Sequence, residues 1–140
     1  MLKTLLIFLQ LFYSGNLIAI TSVDPLGKVS SVEFDIIGNQ TASIDNLNRR
    51  TEMEYDVYRR LTQTTFDDLA TETKTYDLEG NLLTDTDRNG NVTSFEYDSL
   101  NRLIKTTYAD TSITETEYDA VGQVTANIDA LGNRTVSDPY

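Results

Sequence analysis

The chain has 140 residues, with 22 acidic and 11 basic side chains, a formal net charge of −11, no cysteine and no histidine. The acidic excess argues against a nucleic-acid partner, because a phosphate backbone would be repelled. Without cysteine or histidine, there can be no disulfide, thiolate zinc site, Ser-His-Asp centre or Cys-His centre. Hydrophobic residues make up 39% of the chain, and threonine is strongly over-represented. This composition predicts a thin, threonine-rich β-structure.

Residues 1–20 differ in character from the rest of the chain. Lys3 precedes an apolar run from Leu5 to Tyr13, which is the form of a secretory signal peptide. Gln10 and the polar residues 14–16 keep this run shorter than the roughly 20 apolar residues of a transmembrane helix. We assign residues 1–22 to a signal peptide, with an unrelated N-terminal apolar segment as the alternative, and residues 23–140 to a separate region.

That second region is a tandem repeat with a 21-residue period. An aromatic residue followed by Asp recurs five times without slippage, and four positions after the aromatic stands Gly, Asn or, once, Arg. The five pairs are Phe34-Asp35, Tyr55-Asp56, Tyr76-Asp77, Tyr97-Asp98 and Tyr118-Asp119. A constant period indicates a repeat array of about five units, each of which is stabilised by packing against its neighbours.

Each unit has room for two strands of six to eight residues and two turns. An Asp followed three residues later by Gly, as in Asp77 to Gly80, predicts a type I turn closed by a residue with positive φ. Asn48 and Asn101 replace Gly in two turns, whereas Arg59 fits poorly and predicts a strained or altered turn. The predicted fold is all-β, an antiparallel meander of two-strand units in a curled, open sheet.

Alternation along the strand before each aromatic-Asp pair predicts two different faces. Thr93, Phe95 and Tyr97 would point to one face, and Ser94 and Glu96 to the other. The strands that end at Tyr55 and Tyr118 show the same pattern. We interpret the first face as aromatic and aliphatic packing and the second as a solvated acidic surface.

The residues from Tyr76 to Tyr97 read YDLEGNLLTDTDRNGNVTSFEY, with Gly80, Leu82 and Gly90 at fixed places. This pattern resembles the YD repeat of Rhs proteins, a family of bacterial Rhs and wall-associated polymorphic toxins, insecticidal Tc toxin subunits and animal teneurins. The resemblance extends over about residues 24–138. It implies a spiralling antiparallel sheet, which closes into a hollow shell around a toxin effector in full-length toxins and forms part of an adhesion receptor in teneurins. Five repeats are too few to close a shell, so we expect a fragment of a longer array.

Residues 85–96 contain the ligand spacing of an EF-hand calcium loop. Asp85, Asp87, Asn89 and Glu96 fall at its first, third, fifth and twelfth positions. An EF-hand requires flanking helices, however, and both flanks here carry strand-type sequence. The pattern therefore favours a structural turn over a weak calcium site.

Other motifs are also interpreted as parts of the repeat. Asn39, Asn91 and Asn133 begin N-glycosylation sequons because the turn residue is followed by Asn and then Thr. The carboxylates of Asp67 and Asp68 could serve glycosidic hydrolysis, but they lie in a variant turn with no sign of a cleft.

The arginine pairs and the tyrosines have structural interpretations as well. Arg49-Arg50 and Arg59-Arg60 lie beside turns among many acids, so salt bridges to neighbouring strands are expected. A tyrosine at a fixed repeat position favours packing, with sugar stacking as the alternative.

We therefore expect a non-catalytic structural repeat segment of an Rhs-type shell or cell-surface scaffold, secreted or held at the cell surface. No catalytic, cofactor-binding or metal-binding residue is assigned. The expected partner is the rest of a longer Rhs-type protein or another protein chain, with no nucleic acid and no transmembrane span. The alternative is an extracellular adhesion module that binds glycans or another protein.

Overall fold

The computed structural model describes residues 12–14 and 17–137 and divides the chain into two compact units, Met1–Thr71 and Glu72–Tyr140. All regular structure in these described ranges is β-strand. The N-terminal unit contains β1 (Phe12–Ser14), β2 (Leu17–Val23), β3 (Val29–Asp35), β4 (Gln40–Ile44), β5 (Arg50–Tyr55) and β6 (Leu61–Thr65). The C-terminal unit contains β7 (Thr71–Tyr76), β8 (Leu82–Thr86), β9 (Val92–Tyr97), β10 (Leu103–Thr107), β11 (Ile113–Tyr118), β12 (Val124–Ile128) and β13 (Arg134–Val136).

Within each unit every strand pairs with the next strand along the chain, and every pair is antiparallel. In the N-terminal unit this holds from β1 to β6, and in the C-terminal unit from β7 to β13. The predicted all-β antiparallel meander in an open sheet, with two strands and two turns in each repeat unit, is confirmed. No helix in the described part of the chain is long and apolar enough to cross a membrane.

Strand β2 lies partly within the segment that the sequence assigns to a signal peptide. Its residues Leu17 to Val23 pair with β3 without interruption, from Leu17 opposite Asp35 to Val23 opposite Val29. Residues 1–11, which contain most of the apolar run, lie outside the described residues.

From β2 onward, successive strands are connected by one type of five-residue turn. In each turn the first residue donates its N–H to the carbonyl of the fifth residue, and the fourth residue donates its N–H to the carbonyl of the first. The first residues of these turns are Asp24, Asp35, Asp45, Asp56, Phe66, Asp77, Asp87, Asp98, Tyr108, Asp119 and Asp129. The first residues of successive turns are separated alternately by 11 and by 10 positions, which together make the 21-residue period.

The fourth residue of every such turn has a positive φ, as the position of Gly in the sequence predicts. At Arg59, φ is 68° and both turn hydrogen bonds are kept, so this turn is strained but not altered. The sequence did not reveal that Leu69 (φ 66°) and Thr111 (φ 69°) adopt the same conformation. The turn hydrogen bonds impose this geometry even on side chains that disfavour it.

Replacing Thr111 with Gly is expected to stabilise the chain by about 0.5–1 kcal/mol. A β-branched residue at positive φ costs about 1–2 kcal/mol, part of which the greater unfolded-state entropy of Gly offsets. The reverse change, Gly90→Thr, should destabilise by about 1 kcal/mol for conformational reasons alone, because no atom lies within 4 Å of where a Cβ would stand. Urea denaturation of both variants measures the two changes in the free energy of unfolding. If both substitutions stabilised the chain, or both destabilised it, the explanation would be contradicted.

A register shift recurs where each aromatic-Asp pair begins. Glu54 lies opposite Gln63, but Tyr55 lies opposite Leu61, so one extra residue, Thr62, is accommodated in β6. The equivalent shift occurs in the other described repeats, at Phe34, Tyr76, Tyr97 and Tyr118. A bulge of this kind reverses the facing of the strand beyond it. Each shift therefore places a Leu, Gln or Val opposite the aromatic residue.

Few side chains are completely buried, as expected for a sheet with both faces partly exposed. In β5, Thr51, Met53 and Tyr55 are half-buried, whereas Glu52 and Glu54 are exposed, which matches the predicted alternation. Among the described residues the fully buried hydrophobic side chains are Ala42 and Ala126. These two alanines occupy the same position of the repeat, four periods apart.

Candidate functional site

The aspartate that begins most turns also clasps the turn with its side chain. In the Asp98 turn, Oδ1 accepts the N–H groups of Leu100 (2.8 Å) and Arg102 (3.0 Å), and Oδ2 accepts the Nε–H of Arg102 (2.6 Å). In other turns the fifth residue is Asn, and its side-chain amide donates to the same Oδ2, as from Asn133 to Asp129. One carboxylate thus satisfies both backbone and side-chain donors of its own turn.

These hydrogen bonds hold the pKa of seven of the turn aspartates below its ordinary value. At Asp45 the largest cause is the bond from the Arg49 side chain, and at Asp87 it is the bond from the Asn91 side-chain amide. The pKa is also lowered at Asp35, Asp56, Asp77, Asp98 and Asp129. In the first three of these, partial burial of the carboxylate raises the pKa, and the hydrogen bonds outweigh it.

The chain is therefore expected to lose stability as the pH falls below about 4. A carboxylate with a lowered folded-state pKa stabilises the fold fully above its unfolded value, near 3.9, and loses that contribution as the pH falls through the folded value. Urea midpoints measured between about pH 2 and pH 7 should be level above about pH 5 and decline below about pH 4. Asp87→Asn should make the decline shallower, and a midpoint that stays constant in acid would contradict the clasp.

Tyr118 connects two successive turns of the C-terminal unit. The guanidinium carbon of Arg102 lies 4.5 Å from the centre of the Tyr118 ring, and the Tyr118 hydroxyl donates to the carbonyl of Leu103 at 3.1 Å. Arg102 also donates from Nη1 to the carbonyl of Asp119 at 3.1 Å. In the N-terminal unit, Tyr55 donates in the same way to the carbonyl of Gln40 (2.9 Å). These contacts favour the packing interpretation of the tyrosines.

Neighbouring turns on this edge are also joined directly by their side chains. In the N-terminal unit, Arg59 Nε donates to Oδ1 of Asn39 at 2.8 Å. In the C-terminal unit, Asn81 Nδ2 donates to Oδ1 of Asn101 at 2.9 Å. Residues 20 positions apart in sequence therefore fix the relative placement of successive hairpins.

On the acidic face, ion pairs reach over the small side chains of the intervening strands. Arg50 in β5 makes two bonds to Glu33 in β3, at 2.8 and 2.7 Å, and a third to Glu52 at 2.7 Å. Ala42 in β4 lies between these strands, opposite both Glu33 and Glu52, and is completely buried. In the C-terminal unit, Arg134 and Glu117 form the equivalent bridge at 2.6 Å across the strand that carries Ala126.

A different arrangement occupies the same repeat position in β10. Lys105 stands opposite Glu96 on β9 and Glu115 on β11, and its Nζ lies 2.8 Å from a carboxylate oxygen of Glu96. The ion pair with Glu96 raises the pKa of Lys105. The sequence had indicated a solvated acidic surface. The structure shows that specific ion pairs also cross this face.

The residues with EF-hand spacing do not converge on one point. Asp85 on β8 pairs with Lys74, and Glu96 on β9 pairs with Lys105. Asp87 accepts the N–H groups of Asn89 (2.8 Å) and Asn91 (2.9 Å). Within the described ranges no group of three or more acidic side chains is placed to hold a metal ion.

Calcium at millimolar concentration is expected to produce no binding heat in isothermal titration. The carboxylates of Asp85 and Glu96 already have cationic partners, and Asp87 is committed to its own turn. Binding would require these contacts to break. A saturable heat that disappears in Asp85→Asn would establish a calcium site after all.

The other sequence candidates lie in turns. Each sequon asparagine donates its side-chain amide to the turn aspartate, and Asn39 is also nearly buried. Asp68 accepts the N–H of Ala70 (3.1 Å), and Asp67 Oδ1 lies 3.4 Å from the backbone nitrogen of Arg50. Arg50 forms a predicted salt bridge to another strand, whereas Arg49 and Arg60 pair with Asp45 and Asp56 of their own turns. That the bridges cross over Ala42 and Ala126 was not predicted, although the recurrence of Ala at one repeat position could have revealed it.

The turn geometry and the 21-residue period agree with a known repeat family. The family model described as RHS Repeat matches residues 76–113, from the end of β7 to the start of β11. This part of the chain is similar to the RHS repeat family. No curated protein sequence matches the chain significantly.

Solved structures of Tc toxins share the fold of this chain. They include the Tc holotoxin pore of Photorhabdus luminescens with a substituted TccC3, the TcdB2-TccC3-Cdc42 structure and TcdB2-TccC3 without its hypervariable C-terminal region. For each, the TM-score is 0.58 and the sequence identity 18%, over 81% of this chain and 7% of the other. The chain thus spans only a small fraction of the length of these proteins.

Proposed function

We propose that the chain is a non-catalytic structural segment of an Rhs-type β-shell or cell-surface scaffold. The observation that carries this proposal is the repeated turn clasp, in which carboxylates that could do chemistry are instead bonded to their own turns. Side chains on neighbouring turns bond to one another, so the repeats are built to extend a sheet. The likeness to Tc toxin structures supports this role.

In this proposal the segment acts through a longer Rhs-type protein or through another protein chain. The coding sequence on both sides of the segment tests this, together with electron microscopy of the complete product. Further 21-residue units and a hollow particle are the expected result. A product without additional repeats, or one with no cavity, would overturn the shell role.

We propose secretion or cell-surface display as the location, with residues 1–22 containing an export signal. Since β2 begins at Leu17 and pairs with β3 along its whole length, cleavage N-terminal to Leu17 would remove β1 but keep the complete pairing of β2 with β3. The intact mass of the exported chain tests this. Cleavage after Ala19 would remove the first three residues of β2 and contradict the expected position.

A second candidate function is an extracellular adhesion module that binds glycans or a protein. The observation that favours it is the exposure of Tyr58 and Tyr108, which lie at turns; the Arg60 guanidinium lies 5.1 Å from the centre of the Tyr58 ring. A glycan array probed with the 140-residue chain distinguishes the two functions. Selective binding that is lost in Tyr58→Ala or Tyr108→Ala would favour adhesion, and the absence of a selective ligand would favour the structural role.

A further inference from the structure

Each unit exposes apolar side chains at the tips of the turns that follow its aromatic-Asp pairs. In the N-terminal unit we call Ile36, Ile37, Val57 and Tyr58 the N-terminal tip patch. In the C-terminal unit we call Leu78, Leu100 and Val121 the C-terminal tip patch. Val57 is 91% exposed, Leu78 83% and Val121 82%. Such aligned apolar tips are features of interaction surfaces rather than of a solvated edge.

An unusual cation lies within the N-terminal tip patch. Arg59 is exposed and has a φ of 68°, in a position where the other turns on aromatic-Asp pairs carry Gly or Asn. Its Nε donates to Asn39, but its guanidinium has no carboxylate partner among the described residues. Beyond its bond to Asn39, Arg59 therefore presents an exposed cation without a carboxylate partner in a chain of net charge −11.

The C-terminal tip patch carries the complementary charge. Glu79 is exposed, lies next to Leu78 at the tip of its turn, and has no cationic partner in the described part of the chain. Successive tips within each patch are separated by two strands, a distance of about 10 Å. The two patches therefore match in spacing as well as in apolar character, and their free charges are opposite.

We propose that the N-terminal tip patch of one copy of this chain docks against the C-terminal tip patch of a second copy, with Arg59 paired to Glu79. A second copy is the partner because this sequence supplies both complementary halves. The large net negative charge opposes contact elsewhere and selects the edge where a free cation meets a free anion. The contact is of the small, weak class. It does not depend on the proposed shell function.

Sedimentation equilibrium of the 140-residue chain at about 0.15 M salt, which screens the repulsion between two negatively charged copies, tests this proposal through a charge exchange. The weight-average mass of the native chain should rise with concentration. Arg59→Glu alone and Glu79→Arg alone should each weaken association about fivefold, because an attractive pair becomes a repulsive one. An equimolar mixture of the two variants should restore it, since Glu at position 59 then meets Arg at position 79.

The matched control is Leu131→Asp, which changes an exposed leucine in the turn that begins at Asp129, outside both tip patches. It should associate as the native chain does. Circular dichroism checks that each variant keeps its β-structure. A native chain that stays monomeric at all accessible concentrations, or a mixture that associates no better than its separate variants, would overturn the proposal.

Discussion

Tyr118→Ala is expected to lower the free energy of unfolding by about 2 kcal/mol. The half-buried ring lies under the Arg102 guanidinium, and its hydroxyl bonds to the carbonyl of Leu103. Removal of the ring loses apolar burial, the cation–π contact and one hydrogen bond together. Tyr118→Phe removes only the hydroxyl and should cost about 0.5–1 kcal/mol.

Urea denaturation of the two variants measures these losses, and Tyr58→Ala is the control. Tyr58 is 63% exposed at a turn tip, with the Arg60 guanidinium 5.1 Å from its ring centre, so its removal should lower the free energy of unfolding by about 1 kcal/mol or less. If Tyr118→Ala cost no more than Tyr58→Ala, the aromatic column would not stabilise the array as described.

Ala42→Leu is the second large expected effect, a destabilisation of about 2 kcal/mol. Ala42 is completely buried between β3 and β5, beneath the bonds from Arg50 to Glu33 and Glu52. A leucine side chain would have to displace this bridge, and overpacking of a filled site costs about 1–3 kcal/mol.

Gln63→Leu provides the matched control for Ala42→Leu. Gln63 occupies the same repeat position one period later, where the structure already accommodates a side chain of leucine size. The control variant should remain within about 0.5 kcal/mol of the native chain in the same urea experiment. Equal losses in both variants would show that the Arg50 bridge does not restrict the volume at Ala42.

Local chemistry made the strands and turns predictable from sequence. An Asp with a Gly or Asn three residues later directly predicts the turn hydrogen bonds and the positive φ, as at Asp77 and Gly80. The conformation of Thr111 was not predictable in this way, because neighbouring strands impose it against the preference of the residue itself. The shift at Tyr55 and Leu61 depends on pairing between strands, which the period alone does not specify.

The site contacts were less predictable, because they join residues that are distant in sequence, 17 positions apart for Arg50 and Glu33. Whether Arg50 reaches Glu33 depends on the strand order and on the small side chain between them. The many acidic residues around both arginine pairs predicted salt bridges for all four arginines. Arg59 nevertheless bonds to Asn39 and has no acidic partner among the described residues. Charge pattern predicts the presence of ion pairs better than it predicts their members.

Within the five-residue turn, different residues determine the fold and the chemistry of the surface. In most turns that begin with Asp, the side chains of the first and fifth residues bond within the turn, whereas the second and third residues contribute their backbone. The tips of these turns consequently hold residues as different as Ile36, Asn46 and Ala130. Evolution, or a combinatorial library, can diversify two positions per turn while the encoded architecture is inherited unchanged.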